Sequence, residues 1–174
     1  MQKTHIDITR LVIILCLVTI AVAVASLTVG RDIYENKELS LLSFGILNFA
    51  GYLFFLIMPV ELAFMFYLHS GYDPLVLNLV AVLTAILSQT IDYMIGYYFS
   101  SGIIDKLIGR KRYKEAEAEI RKYGILTIIV FNLFPLSSPV ISLAAGMLKY
   151  PIKEVIIFSM AGLIGKYVIL SLIF

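Results

Sequence analysis

Apolar residues gather into long runs along this chain, and short polar stretches separate them. Five runs stand out: Leu11–Val29, Leu41–Leu68, Leu75–Phe99, Ile125–Leu148 and Ile152–Phe174. About twenty apolar residues in a helix cross a bilayer, and each run is near or above that length. The polar stretch RDIYENKELS, Arg31 to Ser40, separates the first two. SGIIDKLIGRKRYKEAEAEIRKYG separates the third from the fourth and is the only strongly charged segment. Within it Ile104, Leu107, Ile108, Ala116, Ile120 and Tyr123 recur at helical spacing, and Glu117 and Arg121 form an i,i+4 pair. The pattern predicts an amphipathic helix lying on the membrane surface.

Two of the runs are interrupted. FLIMPVELAFMFYLHSGYDP carries Pro59 and Glu61; FNLFPLSSPVISLAAGMLKYP carries Pro135 and Pro139. Both stretches open on Phe-x-x-x-Pro, continue through an apolar arm to a glycine, Gly71 or Gly146, and close on tyrosine and proline. Proline-broken segments at matching places in two halves are a mark of inverted-repeat transporters, whose half-helices meet near the bilayer midplane. Pro59 and Pro139 are read as the starts of returning arms, since proline is favoured in the first helical turn.

Loop charge gives an orientation. Residues 101–123 hold seven lysines and arginines and are expected to be cytoplasmic. Lys3 and Arg10 favour a cytoplasmic N-terminus as well. If every run crossed, those two assignments would conflict. A second run that enters and leaves by one face, bent at Pro59, removes the conflict. An outward N-terminus with every run crossing is the other solution. The first run also fits a cleavable signal peptide, with Lys3 and Arg10 ahead of it and Ala23-Val24-Ala25 as the processing site, although it is long for one.

The expected fold is therefore an all-α integral membrane protein built of transmembrane helices and two opposed re-entrant hairpins in an inverted repeat. Its parts are a transmembrane helix over 11–29, a re-entrant hairpin over 41–72, a transmembrane helix over 75–100, a cytoplasmic amphipathic helix over 101–123, a second hairpin over 124–149 and a last transmembrane helix over 152–174.

Composition agrees: 60% of residues are hydrophobic, 15% are charged and the net charge is +2. That excludes a soluble core of this size and gives no footing for nucleic acid. Cys16 is the lone cysteine, and His5 and His69 are the only histidines. No disulfide, metal site or cofactor is expected. No hydrolase, zinc-protease or P-loop signature is present, so the chain does not read as an enzyme.

Candidate chemistry lies in the few polar groups within the apolar runs. Glu61 is expensive at bilayer depth, and such carboxylates mark ion or proton routes; a capping charge at a helix start is the alternative. Asn132, Ser137 and Ser138 would offer neutral donors at the second break, suited to a lipid phosphate or to capping the broken helix, with Ser138 as N-cap. Gln89 and Asp92 share a helical face, with Asp92 expected in a solvated position near the cytoplasmic end. Asp73 fits a turn with Pro74. Lys166 is able to pair with Glu61 or to snorkel to an interface.

These residues carry a resemblance. Pro59-x-Glu61, Gly71 and Asp73 resemble the first motif of the DedA family, also called the SNARE-associated or VTT-domain family. SQTIDYMIGYYFSSG is similar to its G-D-x-x-x-Y-x-x-G-R segment, with Tyr93 and Gly96 matching and Ser88, Gln89 and Tyr97 replacing glycine, aspartate and arginine. FNLFPLSSPVISLAAGMLKYPIKEV is similar to R-F-x-P-x-x-R followed by A-G, matching at Pro135, Ala145 and Gly146. The resemblance covers about Leu41 to Phe174. It implies a multi-pass membrane protein that moves polyprenyl phosphates or phospholipids between leaflets as a flippase or scramblase, with proton coupling in some members. The family's acidic pair falls on Glu61 and Asp73. Its arginines fall on Asn132 and Ser138, so the chain resembles an arginine-less branch, without the bidentate phosphate grip of guanidinium. The partners implied are membrane lipids and protons, and a homo-oligomer is compatible with such a chain. A coupled small-solute transporter and a non-transporting structural membrane protein are the alternative functions.

Overall fold

The computed structural model describes residues 40–53, 60–98, 110–134 and 138–174, together with Cys16, Thr19, Ile20, Ala23, Val24 and Leu27, which are helical. Pro59, Pro135, Ser137, residues 99–109 and most of the first apolar run lie outside the described residues. From residue 40 onward the described residues form, in order, α1 (Leu41–Tyr52), α2 (Val60–His69), α3 (Pro74–Tyr98), α4 (Arg110–Tyr123), α5 (Ile125–Leu133), α6 (Ser138–Met147) and α7 (Ile152–Ile173).

Local signals set the helix ends. Ser40 caps α1 by accepting the Ser43 N–H at 3.1 Å. Asp73 caps α3: its Oδ1 accepts from the N–H groups of Leu75 and Val76 at 2.8 and 3.1 Å, and Pro74 follows in the first turn. The returning arms α2 and α6 end alike. The Tyr72 N–H reaches back to the Tyr67 carbonyl and the Tyr150 N–H to that of Ala145, while the residue before each tyrosine turns left-handed. That residue is Gly71 at φ +89° in one case and Lys149 at φ +54° in the other.

This corrects the sequence reading of the second hairpin. Gly146 does not end its arm; it lies inside α6, and Lys149 makes the turn without a glycine's freedom.

Two of the helices, α3 and α7, are long and apolar enough to cross a membrane. Only 33% and 28% of their most apolar windows are buried, unlike the core helix of a soluble protein. Their uncovered faces are apolar: Leu79, Leu83 and Leu87 on α3, and Ile157, Ile164 and Val168 on α7. Such stripes suit contact with lipid. The charged helix α4 is anchored through buried Ile120 and carries the Glu117–Arg121 pair at 3.0 Å on its outer surface.

The packing repeats itself. α1 lies on α3 as α5 lies on α7, and each returning arm touches both its own broken partner and its own long helix. Each arm also centres a core. Phe64 and Tyr67 of α2 pack with Phe44, Leu77 and Tyr167; Ile141, Leu143 and Ala144 of α6 pack with Tyr93, Ile128 and Val155.

The arms differ in how deeply they sit. Every α6 residue from Ser138 to Gly146 is buried, whereas α2 buries only Val60, Phe64 and Tyr67. Glycine makes the difference. A Cβ at Gly96 of α3 would fall on the Leu143 carbonyl oxygen, and one at Gly146 would fall on that of Tyr93. The two backbones touch where those side chains are missing.

Candidate functional site

Two buried polar networks lie where the broken helices meet the long ones. In the first, Asn48 of α1 donates through Nδ2 to the Ala81 carbonyl at 2.9 Å and to Thr84 Oγ1 at 2.8 Å, both on α3. Its Oδ1 accepts from the Tyr167 hydroxyl of α7 at 3.0 Å. Tyr167 is 3.1 Å from the hydroxyl of Tyr52, which accepts from Lys166 Nζ at 2.5 Å. Lys166 closes the series with an ion pair to Glu61 Oε1 of α2 at 3.0 Å. Its side chain is 5% exposed and that of Glu61 is 22% exposed. The lysine therefore pairs with Glu61 within the fold and does not snorkel.

In the second network Asn132 of α5 donates through Nδ2 to the Ile128 carbonyl at 2.9 Å and to Ser159 Oγ of α7 at 3.2 Å. Its Oδ1 accepts from Gln89 Nε2 of α3 at 2.5 Å, and Gln89 Oε1 accepts from Ser142 of α6 at 3.3 Å. Groups this deep must find partners within the protein, because no water competes for them in hydrocarbon.

The networks correspond at their long-helix and returning-arm positions, while the two asparagines stand 84 residues apart (132 − 48). A constant shift of 78 residues takes Gly71 to Lys149 (149 − 71), Ala81 to Ser159 (159 − 81) and Gln89 to Tyr167 (167 − 89). Each asparagine bonds its own unit's long helix at the first of the two long-helix positions, Ala81 or Ser159. It then bonds the other unit's long helix at the second, Tyr167 or Gln89. The contact to the returning arm follows too: Gln89 meets Ser142 through a hydrogen bond where the Tyr167 ring meets that of Phe64, at 4.8 Å between centroids. The same shift places Ser88 opposite Lys166, so only the first network holds an ion pair. Ser88 Oγ is buried with no hydrogen-bond partner among the described residues.

Other expected residues fall elsewhere. Asp73 is an exposed helix cap with no bond to Glu61. The Ser138 hydroxyl donates across the second break to the Phe131 carbonyl at 2.9 Å, and Pro139 is buried in the first turn of α6. Asp92, read as solvated, is fully buried, because α6 crosses α3 beside it and covers that face. Among the described residues no three histidine, cysteine, aspartate or glutamate side chains gather as metal ligands.

Sequence reasoning missed Asn48, Tyr52, Tyr167 and Ser159. Asn48 had a signal, since an amide within FGILNFAGY is as out of place in hydrocarbon as Glu61. Tyr52 and Tyr167 carried no such signal, and nothing local paired positions 52 and 167.

Three of the matched motif residues, Tyr93, Gly96 and Gly146, do structural work. Tyr93 donates its hydroxyl to the Tyr150 carbonyl at 2.6 Å, pinning the turn after α6, and Gly96 and Gly146 form the close crossing. No curated protein and no solved structure matches the chain. Residues 43–174 match the VTT domain, and the chain belongs to that family of membrane proteins, also known as DedA or SNARE-associated.

Proposed function

We propose that this chain moves a phosphate-bearing lipid, a phospholipid or polyprenyl phosphate, between membrane leaflets. One observation carries the reading: two units of broken helix and long helix, each tied by a buried asparagine to the other's long helix at equivalent positions. Transporters built on inverted repeats bind their cargo between such units and work by moving one against the other. On this reading segments 41–72 and 124–149 are re-entrant hairpins entering from opposite faces, and segment 101–123 and the N-terminus are cytoplasmic.

Two further features support a lipid cargo. The outer faces of α3 and α7 are apolar along their length. An open apolar groove of about 720 Å³ is lined by Ile46 and Phe49 of α1, Val80 and Leu87 of α3, and Ile20 and Val24 of the first apolar run, and suits alkyl chains. Thr84 lines the same groove and joins it to Asn48.

The test is reconstitution into liposomes with labelled lipids. Exchange between leaflets above that of empty liposomes is expected for phosphate-bearing lipids, and its absence across phospholipids and polyprenyl phosphates refutes the reading. Topology is tested separately. In a Cys16→Ser background, cysteines at Ser40 and Tyr72 should be labelled from the same side of the membrane. Labelling from opposite sides would make the first hairpin an ordinary crossing.

A coupled small-solute transporter is the second reading, favoured by the partly exposed carboxylate of Glu61. It requires a pH-dependent solute flux that Glu61→Gln abolishes.

A further inference from the structure

Resting on that reading, we propose that Lys166 is the group that receives the lipid phosphate, with Glu61 as its internal competitor, displaced when an anionic headgroup arrives. The second break offers no comparable donor among its described residues. Both amide hydrogens of Asn132 go to Ile128 and Ser159, and the Ser138 hydroxyl goes to Phe131. Neither gives a hydrogen to an anion without breaking a bond inside the protein.

Lys166 has one to give. An ammonium carries three N–H donors, and here one goes to Tyr52 and one to Glu61. The third has no hydrogen-bond acceptor among the described residues. Among the described residues Glu61 is engaged through Oε1 alone, and it is the more exposed partner of the pair.

Lys166 also stays in place without Glu61. The Tyr52 hydroxyl holds Nζ, and the Tyr52 and Tyr167 rings lie 5.0 and 5.4 Å away. A bare buried ammonium is costly, so the carboxylate leaves as the phosphate enters, and the site keeps its charge balance throughout. A phosphate monoester adds oxygen acceptors that the single carboxylate contact lacks, enough to engage the third N–H as well. The arm carrying Glu61 is held less extensively than its counterpart, since α2 touches α7 at few places whereas α6 lies along α3.

The experiment uses the purified full chain in a neutral detergent, titrated with dihexanoyl phosphatidic acid, and with dihexanoyl glycerol as the phosphate-free control. Lys166→Met should weaken phosphatidic acid binding about tenfold or more, and Lys166→Arg should retain it. Glu61→Gln, which removes the competitor and keeps the cation, should tighten binding about threefold or more. Binding of the glycerol control should not follow this order. Equal or weaker binding by Glu61→Gln, unchanged binding by Lys166→Met, or no binding by the natural chain overturns the assignment. If Lys166→Met fails to fold, Glu61→Gln and Lys166→Arg still decide, because a purely structural ion pair predicts loss in Glu61→Gln. Leaflet exchange is read separately. The expected binding order without exchange refutes the transport reading alone, and exchange without that order refutes this assignment alone.

Discussion

The two returning arms occupy equivalent places and are held by opposite means. α6 is small-faced and enclosed: Ala144, Ala145 and Gly146 let it lie backbone to backbone on α3, its Ser142 hydroxyl bonds the neutral amide of Gln89, and the buried Asp92 lies on the α3 face it covers. α2 is large-faced and half open, with Leu62 and Phe66 turned outward and Glu61 meeting the buried Lys166. Close glycine packing in a membrane gives dense contact that neither lipid nor water can replace. An arm seated on aromatic rings and one ion pair keeps more freedom. The comparison divides the molecule into a welded half and a half able to respond to charge.

The sharpest break of that contrast is at the weld. Gly146→Ala should destabilise the protein by about 3 kcal/mol, because the new methyl meets a backbone carbonyl that has nowhere to move. Its counterpart under the 78-residue shift is Leu68, which is only partly buried, and Leu68→Ala should cost about 1 kcal/mol. Thermal unfolding in one detergent compares the pair, and equal costs would erase the difference between the arms.

Next come the asparagines. Asn132→Ala leaves the Gln89 amide and the Ser159 hydroxyl without their partner, at about 2 kcal/mol. Asn48→Ala should cost a similar amount, since it strands Tyr167 in the same way. A loss at only one of the two would show that the correspondence is geometric without being energetic.

The turns supply a test of opposite signs. Gly71→Ala places a side chain at φ +89° and should lose about 1 kcal/mol, whereas Lys149→Gly relieves a left-handed lysine and should gain a comparable amount. The smallest effect is expected at the cap. Asp73→Asn keeps the acceptor for Leu75 and Val76 and should change stability by only about 0.3 kcal/mol, leaving lipid exchange intact. A lost pH dependence of exchange in that variant would instead return Asp73 to the proton-coupling role implied by the family.

Much of this architecture was legible in the chain. Long apolar runs, a proline within or just ahead of each broken segment and one charged stretch mark the helices, since these signals act within a turn or two. The Glu61–Lys166 pair was legible as one of two readings of Lys166, snorkelling being the other, because each charge is costly alone in hydrocarbon. The rest depends on contacts distant in sequence. Gly146 looked like a helix end, because a glycine before a tyrosine reads the same whether it turns the chain or admits another backbone. Asp92 looked solvated because nothing near it announces the crossing of α6. The asparagine links were hidden for the same reason, each joining residues that only the fold makes neighbours.

The series from Asn48 to Lys166 has a direction. Both amide hydrogens of Asn48 are taken by Ala81 and Thr84, so its oxygen is all that Tyr167 meets, and Tyr167 must spend its single hydrogen there. Tyr52 then gives its own hydrogen to Tyr167 and has only lone pairs left for position 166. The way one amide faces in α1 thus dictates, two phenols away, that residue 166 arrives as a donor. A carboxylate in its place would meet oxygen against oxygen, and the whole file of hydrogens would have to reverse.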